Sequence, residues 1–354
     1  MQSTITQPLA QSTTKPARAQ DEQHVRLESK LRREFGDVVL NLLADDRTED
    51  IVLNPDSTLW AKRISEGFVC VGEMSPAQAA SALNTIAAWK GTVMNHEHPV
   101  LETELPLDGS RFEGIVSPIV RRPVFAIRAR PKRIFTLDDY ERSGILTNNQ
   151  DPLNKSRRQA VFSETVHGLS HSEVIRAAVT GKRNILTVGA TGSGKTTFVN
   201  AILDVMAEVA PHDRVISIED TTELQCSVPN YVDLLAVGKV SMLDCLRACM
   251  RLKPTRIVVG EVRGAEAHTM LKAWNTGHPG GAATVHANDA ISGLIRLESL
   301  VAEATSAPQQ GLIAEAVDVV VFIDQEPTLP AGRKVREVAL VTGYRDGRYQ
   351  VEYV

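Results

Sequence analysis

From Asp21 onward, apolar positions recur mostly at steps of three and four: Val25, Leu27, Leu31, Phe35, Val38, Val39 and Leu42. That is the period of an amphipathic helix. Short runs rich in β-formers follow at 50–54, 58–63 and 68–71, separated by the turn signals Asn54-Pro55-Asp56 and Glu66-Gly67. Ser75-Pro76 opens a second helix to about Lys90, with proline at a first-turn position where no N–H is needed. Strands are predicted again at 111–116 and 124–130. Helix and strand mixed in this order predict a small α+β domain over 21–131.

The rhythm changes after Thr165. From Ser172, helical stretches alternate with β-rich runs at 184–188, 214–218, 256–260, 282–286 and 317–323. Such alternation predicts a doubly wound, largely parallel α/β sheet, here over 166–354. The end of the chain, 337–342 and 349–354 around Asp346-Gly347, predicts an antiparallel hairpin. Two stretches lack periodicity. Residues 1–20, rich in Gln, Ser and Thr, are expected to form a disordered tail. Residues 132–165, with Asn148-Asn149-Gln150-Asp151-Pro152 and the basic Lys155, Arg157 and Arg158, are expected to form a solvated linker.

Composition narrows the class. The 354 residues are 43% hydrophobic and 23% charged, enough for two ordinary cores. A net charge of −4 and 5% aromatic residues argue against a basic, stacking groove for nucleic acid, and sequence-specific nucleic-acid binding is not expected. The cysteines Cys70, Cys226, Cys245 and Cys249 form no CxxC pair. Cys245 and Cys249, four apart, suit one buried helix face better than a metal site. No apolar run reaches the ~18–20 residues needed to span a bilayer, and the amino-terminal stretch lacks a secretory h-region. A cytoplasmic location is therefore expected.

The chemistry begins at Gly189-Ala190-Thr191-Gly192-Ser193-Gly194-Lys195-Thr196, a full match to G-x-x-x-x-G-K-[ST] between a β run and a helix that continues from Thr197. Glycines let the loop turn its N–H groups inward on phosphate oxygens, and the helix N-terminus adds positive charge. Lys195 would reach the β- and γ-phosphates of ATP, and Thr196 would ligate Mg²⁺. The run 257–259 ends in Gly260-Glu261, as a Walker B strand ends in acid, although Gly260 stands where an aspartate often serves the magnesium. Glu261 is then the candidate to polarise water, the alternative being a solvated loop carboxylate. Glu219-Asp220 ends another strand and should face the same crevice, supplying metal-shell acidity. A helix cap is the other role open to Asp220. His286, also at a strand end, can report on the γ-phosphate or on Glu261, unless it is only a satisfied core histidine.

In this order the P-loop, Glu219-Asp220, Gly260-Glu261-Val262-Arg263 and Thr276-Gly277-His278…His286 resemble the Walker A, Asp box, Walker B and His box of the secretion, or traffic, ATPases. The chain is most similar to their TrbB type, the conjugative-transfer ATPases of type IV secretion. The resemblance implies a RecA-like P-loop NTPase domain at the carboxyl end, under the smaller α+β amino-terminal domain, assembled as a ring-shaped homo-hexamer. It implies an ATPase docked peripherally on inner-membrane components of a secretion or conjugation channel. Arginines of the amino-terminal domain act on the nucleotide in this family. Asp108-Gly109-Ser110-Arg111 and Ala126-Ile127-Arg128 resemble those stretches, making Arg111 and Arg128 the candidates, with Arg263 a third from the Walker B match. No four-cysteine module of the type II secretion ATPases is present. No Ala-Ile-Arg-Ala-Gly-Gln segment of the pilus-retraction ATPases follows His286. Pilus-retraction or type II-like ATPases, a DNA-handling RecA-like motor and a nucleotide-gated scaffold are the rival readings.

Overall fold

The computed structural model describes residues 17–132, 135–146 and 155–354, with side chains from 22 onward and, past the second gap, from 159. Most of the expected tail and the basic trio at 155–158 fall outside the described residues or side chains. The chain opens with α1 (Ala17–Ala44), β1 (Thr48–Leu53), β2 (Thr58–Arg63), β3 (Phe68–Glu73), α2 (Pro76–Lys90), β4 (Val100–Glu104), β5 (Arg111–Ile115) and β6 (Val124–Arg128). Ser75 caps α2 by accepting from the Gln78 N–H at 3.2 Å, and Gly91 ends it in a left-handed conformation. The strands form an antiparallel sheet ordered β3-β2-β1-β6-β5-β4.

Alternation along these strands sends residues to two different cores. Ile51, Leu53, Phe112 and Phe125 pack under α1 and α2 with Leu31, Phe35, Leu83 and Ile86. Val52, Trp60, Ile115 and Ala126 point the other way, into a core shared with the second domain. Both faces of the sheet are thus covered.

The second half contains α3 (Leu137–Arg142), α4 (Lys155–Val166), α5 (His171–Thr180), β7 (Ile185–Val188), α6 (Lys195–Val209), β8 (Val215–Glu219), β9 (Tyr231–Leu235), α7 (Met242–Arg251), β10 (Arg256–Val259), α8 (Glu266–Asn275) and β11 (Ala282–Val285). It closes with α9 (Ala290–Val301), α10 (Gln310–Ala316), β12 (Val319–Gln325), β13 (Arg333–Arg345) and β14 (Arg348–Tyr353). The sheet runs β14-β13-β12-β7-β11-β10-β8-β9. It is parallel from β12 to β9, and β13 and β14 add the expected hairpin at one edge.

The described part of the expected linker carries two helices. Phe162 and Val166 of α4, four residues apart, are buried with Val174 of α5 and Val199 of α6, so this helix packs as part of the second domain. Helix α3 is capped by Thr136 and Asp139 but buries no side chain. β4 and β9 answer to no strand expected from the pattern. Cys245 and Cys249 lie on the buried face of α7.

Candidate nucleotide site

At the carboxyl ends of the parallel strands, β7 delivers the chain into the P-loop and α6 leads it out. Gly194 is the N-cap of α6 with φ 98°, and no side chain caps the helix. The first-turn N–H groups are therefore left for an external acceptor. A Cβ at Gly194 would also collide with the Arg333 guanidinium. Lys195, 7% exposed, donates from Nζ to Gly189 O and Ala190 O, each at 3.1 Å, and approaches His286 Nδ1 at 3.2 Å. No carboxylate pairs directly with it among the described residues. Burial lowers its pKa, opposed by the charge of Glu261 and reinforced by Arg263. A lysine held by carbonyls beside uncapped N–H groups suits a phosphate group.

An unbroken polar chain leads from that lysine. An ammonium can only donate, so His286 Nδ1 accepts and Nε2 carries the proton. Nε2 lies 3.0 Å from Glu261 Oε1. Arg263 grips the same carboxylate with Nη2 and Nε, each at 3.0 Å, and reaches Asp220 with Nη1. Burial pushes the Glu261 carboxyl up, but Arg263, His286 and Lys195 together hold it below the usual carboxylate range. Glu261 is therefore ionised throughout the neutral range.

Gly260 has a steric reason. A Cβ there would lie 3.0 Å from Glu219 Cγ, so an aspartate at this position would displace Glu219. The Glu219 carboxylate, 5% exposed, accepts at Oε1 from the Glu223 and Leu224 N–H groups, each at 2.9 Å. Burial raises its pKa against those two hydrogen bonds. The geometry thus differs from the metal shell expected of this pair: one oxygen of Glu219 is committed to backbone, and Asp220 is committed to Arg263. Among the described residues no cluster of His, Cys, Asp and Glu could cage a metal. Thr196, in the first turn of α6, fits a magnesium ion carried mainly by phosphates and water.

The site therefore brings together Gly189, Ala190, Thr191, Gly192, Ser193, Gly194, Lys195, Thr196 and Thr197 with Glu219, Asp220, Glu261, Arg263 and His286. It does not bring in Arg111 and Arg128. These are directly opposed across β5 and β6, and both line a cavity of about 660 Å³ on the amino-terminal domain. Arg128 also borders a cavity of about 1260 Å³ with Lys182, Asp213 and Lys253. Those residues precede β7, β8 and β10, so they mark the amino edge of the parallel sheet. At about 3.3 Å per residue, the four residues of β7 alone separate this edge from the P-loop by roughly 13 Å. In this structure Arg111 and Arg128 therefore stand apart from Lys195.

Two P-loop neighbours were not foreseen. Arg333 Nη1 lies 3.4 Å from Thr197 Oγ1, and a Cβ on Gly192 would be 3.5 Å from Gln325 Nε2. Both come from the β12–β13 hairpin, where Gln325 pairs with Arg333. Their approach to a loop more than a hundred residues earlier leaves no local signal in the sequence.

This architecture has close relatives. A family model described as type II/IV secretion system protein matches residues 154–326. A probable conjugal transfer protein TrbB of Sinorhizobium fredii is 42% identical over 93% of this chain and 94% of its own length. The chain belongs to the secretion traffic ATPases, in their TrbB conjugal-transfer branch. The VirB11 type IV secretion protein of Bartonella quintana is 29% identical over 79% of this chain and 85% of its own. The crystal structure of the VirB11 ATPase from the Brucella suis type IV secretion system, in complex with sulphate, superposes with a TM-score of 0.79. It is 26% identical and covers 90% of this chain and 97% of that one. The two-domain α/β architecture of the traffic ATPases, with its RecA-like carboxyl-terminal domain, is thus that of this chain. No helix among the described residues is long and apolar enough to cross a membrane.

Proposed function

We propose that this chain hydrolyses ATP to ADP and phosphate and uses the cycle to drive a type IV secretion or conjugative-transfer machine. The observation that carries the reading is the polar chain from the P-loop lysine through His286 to an ionised Glu261. Lys195 and the N–H groups of the loop would hold the β- and γ-phosphates. Thr196 would hold Mg²⁺, which supplies charge neutralisation at the transferring phosphoryl group. Glu261 would orient the attacking water and accept its proton, a role its firm ionisation suits. His286 would couple Lys195 to Glu261, so that a phosphate drawing on the lysine alters the hydrogen bond at the base. Arg263 and Asp220 fix the carboxylate's direction, and Glu219 stiffens the neighbouring strand end.

Arg111 and Arg128 enter this scheme from a second copy. Like charges opposed across a strand pair are unfavourable unless an anion joins them; Glu104 stands opposite Arg111 on β4, but no carboxylate lies within ion-pair distance of either arginine among the described residues. A heterologous ring sets one face of each subunit against a different face of the next. That arrangement would present the arginine face of one chain to the P-loop of its neighbour. We propose the homo-hexamer as that ring, hinge motion between the two domains as its stroke, and peripheral attachment to inner-membrane channel components on the cytoplasmic side. Phosphate release by wild type, Lys195→Ala and Glu261→Gln tests the activity. Release by wild type that fails to exceed the variants would leave a nucleotide-gated scaffold instead.

A further inference from the structure

Arg333 is an unusual group to find where it stands. It begins β13, yet its guanidinium crosses to the start of α6, near Thr197 Oγ1 at 3.4 Å. It also occupies the space into which any side chain at Gly194 would extend. Among the described residues its guanidinium has one other hydrogen bond, from Nε to Ala331 O at 3.3 Å, and no carboxylate within ion-pair distance. A cation set against the positive end of a helix is electrostatically unfavourable. Holding it exposed adds the cost of ordering a long side chain. The arrangement becomes favourable once an anion lies between the two.

The P-loop itself says which part of the anion this is. Lys195, farther into the loop, faces Glu261 and His286, where the terminal phosphate and water belong. Arg333 comes from the β12–β13 side of β7, whereas His286 and Glu261 follow β11 and β10 on its other side; it stands beside Thr197, the residue after Thr196. A triphosphate running along the loop would bring its first phosphate to the Arg333 side.

We infer that Arg333 is a nucleotide-binding residue supplied by the β12–β13 hairpin, which clamps the α-phosphate against the N-terminus of α6. This rests on the P-loop reading above. A contact to the α-phosphate is made equally by ADP and ATP and does not change as the terminal bond breaks. Arg333 therefore contributes to affinity and not to the chemical step. The hairpin also senses whether any nucleotide is present, whereas His286 and Glu261 face the γ-phosphate.

The test is titration of a fluorescent ADP analogue and of inorganic tripolyphosphate, as competitor, against the full chain and its Arg333→Ala and Arg333→Lys variants. ATP hydrolysis is measured in parallel. Loss of one charge-assisted hydrogen bond should weaken both ligands about tenfold or more in Arg333→Ala. KM for ATP should rise with kcat nearly constant, and Arg333→Lys should recover part of the affinity. The residue is exposed, so thermal stability without ligand should not move. Unchanged ADP affinity in Arg333→Ala would overturn the inference. Weakened ADP with unchanged tripolyphosphate would overturn it too, by moving the contact to ribose or base. Failure of the wild type to bind the analogue at all would instead strike the P-loop reading.

Discussion

The two edges of the parallel sheet handle charge in opposite ways. At the carboxyl edge Lys195, His286, Glu261, Arg263 and Asp220 form one continuous series in which every member has a partner of complementary character. At the amino edge, where the first domain docks, Arg256 and Lys182 share Asp213, but two deeply buried charged groups have no ion-pair partner among the described residues. Arg214 is wholly buried and finds only neutral oxygens: Leu252 O at 2.7 Å and the side-chain amides of Asn54 and Asn230, each at 2.5 Å. Burial depresses its pKa to about 9. Glu113, 3% exposed, has neither carboxylate oxygen hydrogen-bonded. Burial, with the charge of Glu102 added, pushes its pKa up to about 8. The comparison teaches that charge alone does not mark a reacting centre. One edge is arranged to meet an external anion; the other joins two domains, with an apolar contact of Val52, Trp60, Leu246 and Cys249 around it. Ion pairs such as Arg251–Glu102 and Lys253–Asp50 lie at its border.

The sharpest way to break this contrast is to disturb each edge and see which property moves. Glu261→Gln keeps the shape of the carboxyl edge and removes its base. Hydrolysis should fall by about 10²–10⁴-fold with nucleotide affinity largely kept, read by phosphate release and by binding of an ATP analogue. Lost binding with intact turnover would invert the assignment. Asn54→Ala acts on the amino edge by taking one acceptor from a buried arginine. It should cost about 1–3 kcal/mol in chemical denaturation while per-molecule hydrolysis by the folded protein stays near wild type.

Glu113→Gln should have a smaller effect, with a pH signature. A carboxyl whose folded pKa lies above its unfolded value favours folding fully only below the unfolded value, near 4.5. Wild-type stability should therefore decline from about pH 4.5 toward pH 8, while the variant stays flatter across that window. By pH 8 the variant should be the more stable by about 1–2 kcal/mol. Parallel pH profiles for the two proteins would place Glu113 outside the domain junction's energetics.

The same contrast explains what could be read in advance. The carboxyl edge was legible because its residues sit in short motifs at strand ends: a Gly-rich loop, Glu219-Asp220, Gly260-Glu261-Val262-Arg263, and His286. Local pattern and the α/β rule together bring them to one crevice. What could not be read was direction. Gly260 reads as a missing aspartate until the structure shows Glu219 in the space its side chain would need. Asp220 reads as a metal ligand, whereas in the structure it pairs with Arg263. β9 carries a weak signal because Asp233 interrupts the apolar run of Tyr231–Leu235 and one face stays half-exposed, and α4 because its two core contacts, Phe162 and Val166, stand in an otherwise polar stretch. Arg333 and Arg214 depend on partners more than a hundred residues away, for which one sequence carries no signal.

The position of Arg111 and Arg128 on the far edge is the central claim, because in the proposed ring it would make each catalytic site the joint property of two chains. Mixing two inactive variants tests it directly. A Lys195→Ala chain lacks a P-loop lysine but keeps its arginines; an Arg128→Ala chain keeps its P-loop. If the arginines serve a neighbour, mixed rings regain intact interfaces, roughly one in four for random equimolar mixing in a heterologous ring. Phosphate release should then rise well above that of either variant alone. Release that stays at the level of the separate variants, in rings shown to contain both chains, would contradict the account.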